Sequence, residues 1–266
     1  MKVQNKVWVV TGAGGGIGSE LVLQLLARGA RVAAVDLRQE SLDALRQKVG
    51  DVPHQLSVHA LDIGDIDAVG RLPETVVATH GQVDGVINCA GIIQPFVRVK
   101  DLDYPAIDRV MRVNFYGTLY MTKTFLPHLL DRPEAHLVNV SSMGGFLPVP
   151  GQSVYGASKA AVKLLTEALY AELLETPVRV SVVFPGGTET DITKNSGVNA
   201  PSVGTKGKKY TMLSATEAAR IVLDGVERNK PQILTGKDSR TMNVLYRLSP
   251  TFATRLIAKQ MKTLLP

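Results

Sequence analysis

Two side chains four residues apart in the sequence could transfer protons. Tyr155 and Lys159 lie in a stretch that is predicted to be helical, and Ser142 precedes the tyrosine by thirteen residues. Because positions i and i+4 share one face of a helix, the phenol and the ammonium would project side by side. An ordinary phenol has a pKa of ~10, and a neighbouring cation lowers it, so Tyr155 is predicted to act as an acid and a base near neutral pH. Such pairs are also common on ordinary helix surfaces, so this one predicts a site only together with other motifs.

The chain alternates between short apolar runs and helical patterns, and this alternation predicts the fold that positions these side chains. Seven runs rich in β-branched residues are predicted strands: 7–10, 31–35, 55–60, 83–87, 136–140, 178–184 and 232–234. Strands that alternate with helices form parallel sheets through right-handed crossovers, and near-continuous apolar strands indicate burial on both faces. We expect one α/β domain with a doubly wound, mostly parallel sheet. The first helix is predicted over 17–28.

Two segments depart from this regular pattern. Residues 65–80 should form a crossover helix, but Gly70 and Pro73 lie in the middle, which predicts a kink or two short helices. Residues 191–213 are polar, rich in Gly, Lys and Ser, and too long for a routine connection. This second segment is predicted to be a mobile substrate loop or lid.

The composition is that of an ordinary globular protein. The chain has 266 residues, of which 45% are hydrophobic and 20% are charged. Its apolar runs are too short to span a membrane and its beginning has no signal-peptide core, so we expect a cytoplasmic location. The single cysteine, Cys89, cannot form an internal disulfide, and no His/Cys cluster has metal-ligand spacing, so no metal is predicted.

The basic charge is concentrated near the C-terminus. Residues 1–193 contain 17 Lys and Arg against 20 Asp and Glu, whereas residues 194–266 contain 13 against 4. We therefore divide the chain into a catalytic domain, 1–239, and a basic amphipathic helical extension, 240–266. The predicted apolar stripe of the extension is Phe252, Leu256, Ile257, Met261 and Leu264, and its basic face is Arg255, Lys259 and Lys262.

The extension could have one of two surroundings. It could pack on the core or on a sister subunit, or its basic face could lie on an anionic membrane surface as a peripheral contact. Binding to nucleic acid is not expected, because few aromatic residues accompany the basic cluster.

A glycine-rich turn follows the first predicted strand and leads into the first predicted helix. It contains Gly12, Gly14, Gly15, Gly16, Ile17 and Gly18. A tight turn, a backbone without side chains and a helix N-terminus together fit a pyrophosphate. The position of the turn between a strand and a helix predicts a dinucleotide site.

The end of the second predicted strand bears on the choice of dinucleotide. Asp36 follows Gly12 by 24 residues, and a carboxylate there can accept hydrogen bonds from an adenosine ribose and repel a ribose phosphate. NAD is therefore favoured as the cofactor. Arg38 could bind a ribose phosphate, so NADP is not excluded.

Together these motifs resemble the short-chain dehydrogenase/reductase superfamily in its single-domain form. The further matching segments are Asp62-Ile63, Asn88-Cys89-Ala90-Gly91, Val113-Asn114-Phe115, and Pro185-Gly186-Gly187-Thr188-Glu189-Thr190. The resemblance implies a Rossmann-like fold with a seven-stranded sheet, and a homo-oligomer, either a dimer or a tetramer. It also implies a cofactor site formed by the glycine turn, Tyr155 and Lys159 with Asp36, Leu37, Arg38, Asp62, Ile63, Asn88, Ala90, Gly91, Pro185, Gly186, Thr188 and Thr190.

The resemblance further implies hydride transfer between a nicotinamide and a carbon that bears a hydroxyl or a carbonyl. Tyr155 would exchange a proton with the substrate oxygen, and Lys159 would hold the nicotinamide ribose. Ser142 would donate a hydrogen bond to that oxygen, and Asn114 would hold a water beside Lys159.

The substrate is expected to be a small molecule, namely a lipophilic or medium-sized alcohol, ketone or aldehyde. This follows from the mostly apolar residues that we expect around the pocket, which are Ile92, Gln94, Met143, Phe146 and the loop 193–213. Two other functions fit the same sequence: a catalytically silent protein that senses NAD or serves as a scaffold, and an isomerase or lyase on the same fold.

Overall fold

The computed structural model describes residues 1–50, 52, 54–198 and 212–262. The strands are β1 (Val7–Thr11), β2 (Arg31–Asp36), β3 (Leu56–Ala60), β4 (Gly85–Asn88), β5 (Ala135–Val140), β6 (Val178–Pro185), β7 (Thr188–Glu189), β8 (Leu213–Ser214) and β9 (Gln232–Thr235). The helices are α1 (Gly16–Ala27), α2 (Gln39–Val49), α3 (Ile66–His80), α4 (Tyr104–Met111), α5 (Thr118–Leu130), α6 (Ser153–Glu172), α7 (Ile192–Asn195), α8 (Ala215–Glu227), α9 (Lys237–Leu248) and α10 (Pro250–Gln260). A π-helical segment, Arg112–Gly117, joins α4 to α5.

Seven strands form one parallel sheet in the order β3-β2-β1-β4-β5-β6-β9. This order confirms the predicted doubly wound fold, and each predicted strand is present with ends that differ by no more than two residues. The chain runs outward from β1 to β3 and then returns to place β4 on the other side of β1. Thr11 is in register with Val35 of β2 and Asn88 of β4, so three strand ends meet at this switch point. Open α/β sheets bind their ligands there.

The sheet is covered on both faces, as predicted. Successive residues of a strand point to opposite faces, and every residue of β1 is buried. Trp8 and Val10 belong to a core formed with side chains of α1, α2 and α8. Val7 and Val9 belong to a second core formed with side chains of α3, α5 and α6. The sheet is thereby held rigidly under the residues at its carboxyl edge.

The helix over residues 66–80 is a single element, so of the two predicted alternatives, a kink or two short helices, the second is wrong. Asp65 caps its first turn by accepting hydrogen bonds from the N–H groups of Asp67 and Ala68, and Gly81 ends it in the left-handed conformation. Pro73 lies on its buried face, and α3 contributes to the second core. The two caps and the buried face offset both the backbone hydrogen bond that Pro73 removes and the clash of its ring with the preceding turn.

The segment 191–213, predicted to be a mobile loop, has regular structure at both ends. Residues 192–195 form the short helix α7, and Leu213–Ser214 pairs in parallel with Thr188–Glu189. Residues 199–211 lie outside the described residues. The two described ends are therefore fixed next to the carboxyl edge of β6.

The predicted C-terminal extension contains two helices, and the predicted boundary at residue 239 falls inside the first of them, α9. The hydroxyl of Ser239 donates to the carbonyl of Phe184 at 2.9 Å, and the ring of Tyr246 lies 6.3 Å from that of Phe146. Helix α9 thus packs against β6 and the segment that contains Phe146. Within the described part of the chain, no helix is long and apolar enough to cross a membrane.

Candidate active site

A cleft of about 410 Å³ opens at the carboxyl edge of the sheet. Most of the predicted cofactor residues line it, namely Gly12, Gly15, Gly16, Ile17, Gly18, Asp36, Leu37, Arg38, Asp62, Ile63, Ala90, Gly91, Pro185, Gly186, Thr188 and Thr190. Ser142, Tyr155 and Lys159 also line it. The fold therefore brings side chains from distant parts of the sequence to one concave site.

The glycine turn has the geometry that a pyrophosphate requires. A Cβ atom at Gly12, where φ is +68°, would lie 2.8 Å from the Cα atom of Ala90. A Cβ atom at Gly18 would lie 2.1 Å from the carbonyl oxygen of Gly12, so neither position admits a side chain. The first turn of α1 has no side-chain cap and no acidic residue, which leaves its N–H groups able to bind an anion. These residues fit a dinucleotide.

The carboxylate of Asp36 is held at the cleft by two backbone hydrogen bonds. Its Oδ2 atom accepts from the N–H of Gly14 at 2.9 Å, and its Oδ1 atom accepts from the N–H of Arg38 at 3.2 Å. The guanidinium of Arg38 donates to Oδ1 of Asn195 at 2.9 Å. Arg38 is therefore bonded to α7, whereas the carboxylate of Asp36 faces the cleft.

Asp62 also lines the cleft, but its carboxylate is already paired. It forms an ion pair with Arg112 of the π-helical segment and accepts a hydrogen bond from the N–H of Gly64 at 2.8 Å. The sequence motif did not indicate this arginine, because it lies 50 residues further along the chain. The pair fixes the carboxylate that the family resemblance assigns to adenine.

Burial controls the proton affinities of the two central side chains. It raises the pKa of the Tyr155 phenol, and a hydrogen bond with Ser142 opposes that shift only in part. Burial also lowers the pKa of Lys159 to about 8, and its Nζ atom donates to the carbonyl of Val140 at 2.9 Å. The net shift of the Tyr155 pKa in this structure is therefore upward, opposite to the predicted direction, because the cost of burying a phenolate is the larger effect.

Asn114 lies behind the cleft in the π-helical segment, and π-helical turns are frequent at functional sites. Its amide accepts from the N–H of Ile92 and donates to the carbonyl of Ile92, each at 2.9 Å, and it also donates to the hydroxyl of Ser158. A Cβ atom at Gly91 would lie 3.4 Å from the Oδ1 atom of Asn114 and 3.0 Å from the Nζ atom of Lys159. Asn114 thus supports the wall of the cleft beside Lys159.

Two predicted cofactor residues are not part of the cleft lining. Gly14 supports Asp36 from behind, as described above. Asn88 is buried and donates to Oδ1 of Asn139 at 2.8 Å and to the hydroxyl of Thr122 at 3.2 Å. Asn88 therefore joins β4 to β5 and α5, and its contact with the cofactor stays a prediction.

Only one of the four predicted substrate residues lines the cleft. Ile92 lines the cleft, but Gln94, Met143 and Phe146 do not. The ring of Phe146 packs against that of Phe184 at 5.5 Å, next to the helix α9. Gln94 is fully buried, and its Oε1 atom accepts from the N–H groups of Val154 and Tyr155. Gln94 therefore holds the first turn of α6 and does not line the cleft.

Three further residues contribute to the site. Asn195 lines the cleft and binds Arg38, although the two are 157 residues apart. Asp238 of α9 accepts from the N–H of Gly187 at 2.7 Å and so supports the segment that begins at Pro185. Cys89 lines the cleft as a neutral thiol, because burial raises its pKa to about 11. Cys89 belongs to the matching segment 88–91 and Asn195 to the loop 193–213 that we expected at the pocket, whereas no motif indicated Asp238.

Comparison with known proteins agrees with this geometry. The family model for short chain dehydrogenases matches residues 6–200. The chain is 34% identical over 262 residues to SadH of Mycobacterium tuberculosis, and the match covers 96% of this chain and 95% of SadH. The chain belongs to the short-chain dehydrogenase/reductase superfamily, whose members are NAD(P)-dependent oxidoreductases.

Solved structures of the same family share the fold. A short-chain dehydrogenase/reductase from Burkholderia phymatum in complex with NAD matches with a TM-score of 0.80 and 24% identity, covering 93% of this chain and 96% of that one. A short-chain dehydrogenase from Burkholderia cenocepacia in complex with NADP matches with a TM-score of 0.80 and 26% identity, covering 97% and 99%. Neighbours with either cofactor therefore have this fold.

Proposed function

We propose that the protein interconverts a secondary alcohol and a ketone, or an alcohol and an aldehyde, with Tyr155 as the acid and base. One observation carries the proposal: a single cleft is lined by the glycine turn, by Asp36, and by Ser142, Tyr155 and Lys159. A protein that only senses a dinucleotide needs the first two of these features. The three polar side chains beyond them fit proton transfer to a substrate oxygen.

The side chains of the chain handle the proton. The bound nicotinamide supplies or accepts the hydride. In reduction, Tyr155 donates its phenolic proton to the substrate oxygen, and its raised pKa keeps that proton in place at neutral pH. In oxidation it takes the alcohol proton, and the ammonium of Lys159 stabilises the phenolate once both groups face the same ligand. Ser142 donates a hydrogen bond to the oxygen on which charge develops.

NAD is the favoured cofactor. The carboxylate of Asp36 faces the adenosine end of the cleft and repels a phosphate on the ribose. Arg38, the side chain that could bind such a phosphate, donates to Asn195 instead. We propose that NADP binds more weakly for both reasons.

The substrate is proposed to be lipophilic. Ile92, Ile93 and Ile192 line the cleft, and they offer an apolar surface to the part of the substrate beyond the reacting carbon. A cytoplasmic location and a dimer or tetramer remain predictions from the sequence and the family resemblance. Light scattering of the purified protein tests the second of them.

A substrate panel with a matched pair of variants tests the proposal. Secondary alcohols and ketones of increasing chain length are assayed with NAD and with NADP by nicotinamide absorbance. Tyr155→Phe should lower turnover by at least about a hundredfold and leave the Kd for NAD, measured by calorimetry, within about twofold. Tyr170→Phe is the control, because Tyr170 lies on the same helix and is exposed. Turnover of Tyr155→Phe equal to that of the control would refute the assignment, and NAD binding without turnover on any substrate would identify a sensing protein.

A further inference from the structure

The corner between α9 and α10 carries an exposed apolar surface. Val244, Leu248 and Phe252 are 58%, 80% and 56% exposed, and Pro250 between them is also exposed. Val244 and Leu248 lie one turn apart on the same face of α9, and the other two begin α10. We call these four residues the corner surface. Large apolar side chains grouped in this way are typical of a surface that binds a partner.

This surface differs from the stripe that the sequence pattern indicates. Leu256, Ile257 and Met261 of that stripe are partly buried, and Leu264 lies outside the described residues. Ala253 is fully buried, so α10 packs on the protein through this side. Packing thus accounts for most of the predicted stripe, whereas the corner surface has no neighbour within the described part of the chain that buries it.

Basic side chains accompany the corner surface on both helices. Arg240, Arg247, Arg255, Lys259 and Lys262 are all exposed, and no acidic residue occurs from 240 to 266. Among the described residues, none of the five forms an ion pair, and Arg247 donates only to the neutral amide of Gln232. The helix pair therefore presents uncompensated positive charge beside apolar side chains.

We infer that the corner surface docks on an anionic phospholipid bilayer. Helices that lie on membranes combine apolar side chains, which enter the acyl boundary, with basic side chains, which meet the lipid phosphates. Each basic residue near such a surface adds to the attraction between the helix pair and the lipid phosphates. A second copy of the chain fits less well. A twofold contact between two corner surfaces would bring the five cations of one helix pair against the five of the other. A nucleic acid offers the charge but no apolar layer for Leu248 and Phe252.

The position of α9 gives the docking a consequence for the cleft. Asp238 and Ser239 at its start bind the backbone of Gly187 and Phe184, and Tyr246 contacts the ring of Phe146, which follows Ser142 by four residues. The helix pair is therefore attached to the side of the cleft that carries Ser142. Docking holds this side of the enzyme close to the lipid surface, where lipophilic compounds are concentrated. Vesicle binding itself needs no turnover, so the docking inference can fail or hold independently of the proposed activity.

Co-sedimentation of the full chain with vesicles tests the inference. One set of vesicles is phosphatidylcholine, and the other contains phosphatidylcholine with phosphatidylserine. The protein should pellet with the second set, remain largely in solution with the first, and be released by high salt. Equal behaviour with both sets overturns the inference.

Matched double variants locate the contact. Leu248→Ser with Phe252→Ser should weaken binding at least about tenfold, because two large apolar side chains no longer enter the lipid. The control, Leu164→Ser with Leu174→Ser, removes two exposed leucines outside this helix pair and should bind like the wild type. Circular dichroism and NAD turnover, which should match the wild type in both variants, show that the fold is kept. Equal binding by the two variants overturns the inference. The inference is also overturned if the protein does not bind vesicles and the corner variant instead loses self-association or retention on nucleic acid.

Discussion

Gln94 accepts a hydrogen bond from the backbone N–H of Tyr155 at 3.0 Å, although the two residues are 61 positions apart. The same oxygen accepts from the N–H of Val154 at 2.8 Å, and the amide nitrogen donates to the carbonyl of Gly151 at 3.0 Å. The residue that precedes α6, Gln152, provides no side-chain cap, so Gln94 satisfies the first turn of this helix in its place. Gln94, which follows β4, thereby fixes the position of the first turn of α6, from which the phenol of Tyr155 extends into the cleft.

Replacement of Gln94 should therefore impair turnover more than cofactor binding. Gln94→Leu leaves two partly buried N–H groups and one buried carbonyl without partners, which costs up to roughly 1–3 kcal/mol for each unsatisfied group. We expect kcat to fall at least about tenfold, while the Kd for NAD changes less than about threefold. Gln94→Glu should retain more of the turnover, because a carboxylate accepts from both N–H groups and suits a helix N-terminus.

The control for this pair is Gln39→Leu, an exposed glutamine at the start of α2. A positioning role predicts a selective loss of kcat in Gln94→Leu with recovery in Gln94→Glu. An equal loss of kcat and of NAD affinity in both variants would instead indicate a general loss of structure.

The buried ammonium of Lys159 is predicted to lower the stability of the folded protein. Burial lowers its pKa from 10.5 to about 8, so below pH 8 the folded protein carries a buried ammonium at a cost on the order of 3 kcal/mol. Lys159→Met removes this charge and also leaves the carbonyl of Val140 without its donor. The variant should be more stable than the wild type by roughly 1–2 kcal/mol at pH 7, measured by urea unfolding without cofactor.

The stability difference between the wild type and Lys159→Met should depend on pH. Between about pH 8 and 10.5 the unfolded chain binds more protons at Lys159 than the folded chain does, so the stability of the wild type rises with pH. The advantage of Lys159→Met should therefore shrink as the pH approaches 10. Lys123→Met, at an exposed position of α5, should show no such trend. A variant that is less stable than the wild type at pH 7 would mean that the ammonium stabilises the fold.

The contact between Arg38 and Asn195 should influence cofactor choice. Asn195→Ala frees the guanidinium from its hydrogen bond at 2.9 Å, and Asp36→Asn removes the charge that repels a phosphate but keeps an oxygen for the N–H of Gly14. We expect the Kd for NADP to fall a few-fold in the first variant and about tenfold in the second, and to fall most when both substitutions are combined. Calorimetry with NAD and NADP measures the ratio.

A third variant shows whether the arginine is responsible. Addition of Arg38→Leu to the double variant should cancel the part of the gain that comes from Asn195→Ala. If NADP still binds as tightly without the guanidinium, another group recognises the phosphate and the explanation fails.

The periodic and local features of this protein could be predicted from its sequence. The strands follow from runs of β-branched residues, and the glycine turn follows from spacing that only a tight backbone needs. The family resemblance then indicated Ser142, Tyr155 and Lys159, and the three side chains line one cleft. Each of these features is contained in a few neighbouring residues or in a motif of fixed order.

The features that the sequence did not reveal depend on contacts between distant segments. Gln94 has the residue type of a pocket side chain, and only the packing of its loop against α6 turns it into a cap. The pKa of Tyr155 depends on how completely the folded protein excludes water, so the spacing of Lys159 alone gave the wrong direction. Pro73 is tolerated because α3 is capped at Asp65 and buried along one face, which local propensity does not include.

Two glycines should respond in opposite directions to the same substitution. Gly70 is an exposed residue inside α3, and a Cβ atom there would meet nothing within 4 Å. Gly70→Ala should therefore stabilise the protein by about 0.5–1 kcal/mol, because alanine favours a helix interior over glycine. Gly18→Ala would place its Cβ atom 2.1 Å from the backbone oxygen of Gly12, so it should lower stability by at least about 2 kcal/mol and weaken NAD binding at least about tenfold. Urea unfolding and calorimetry measure the two effects. Normal NAD affinity in Gly18→Ala would show that the turn can move without losing its ligand, and destabilisation by Gly70→Ala would show that α3 is strained at that position.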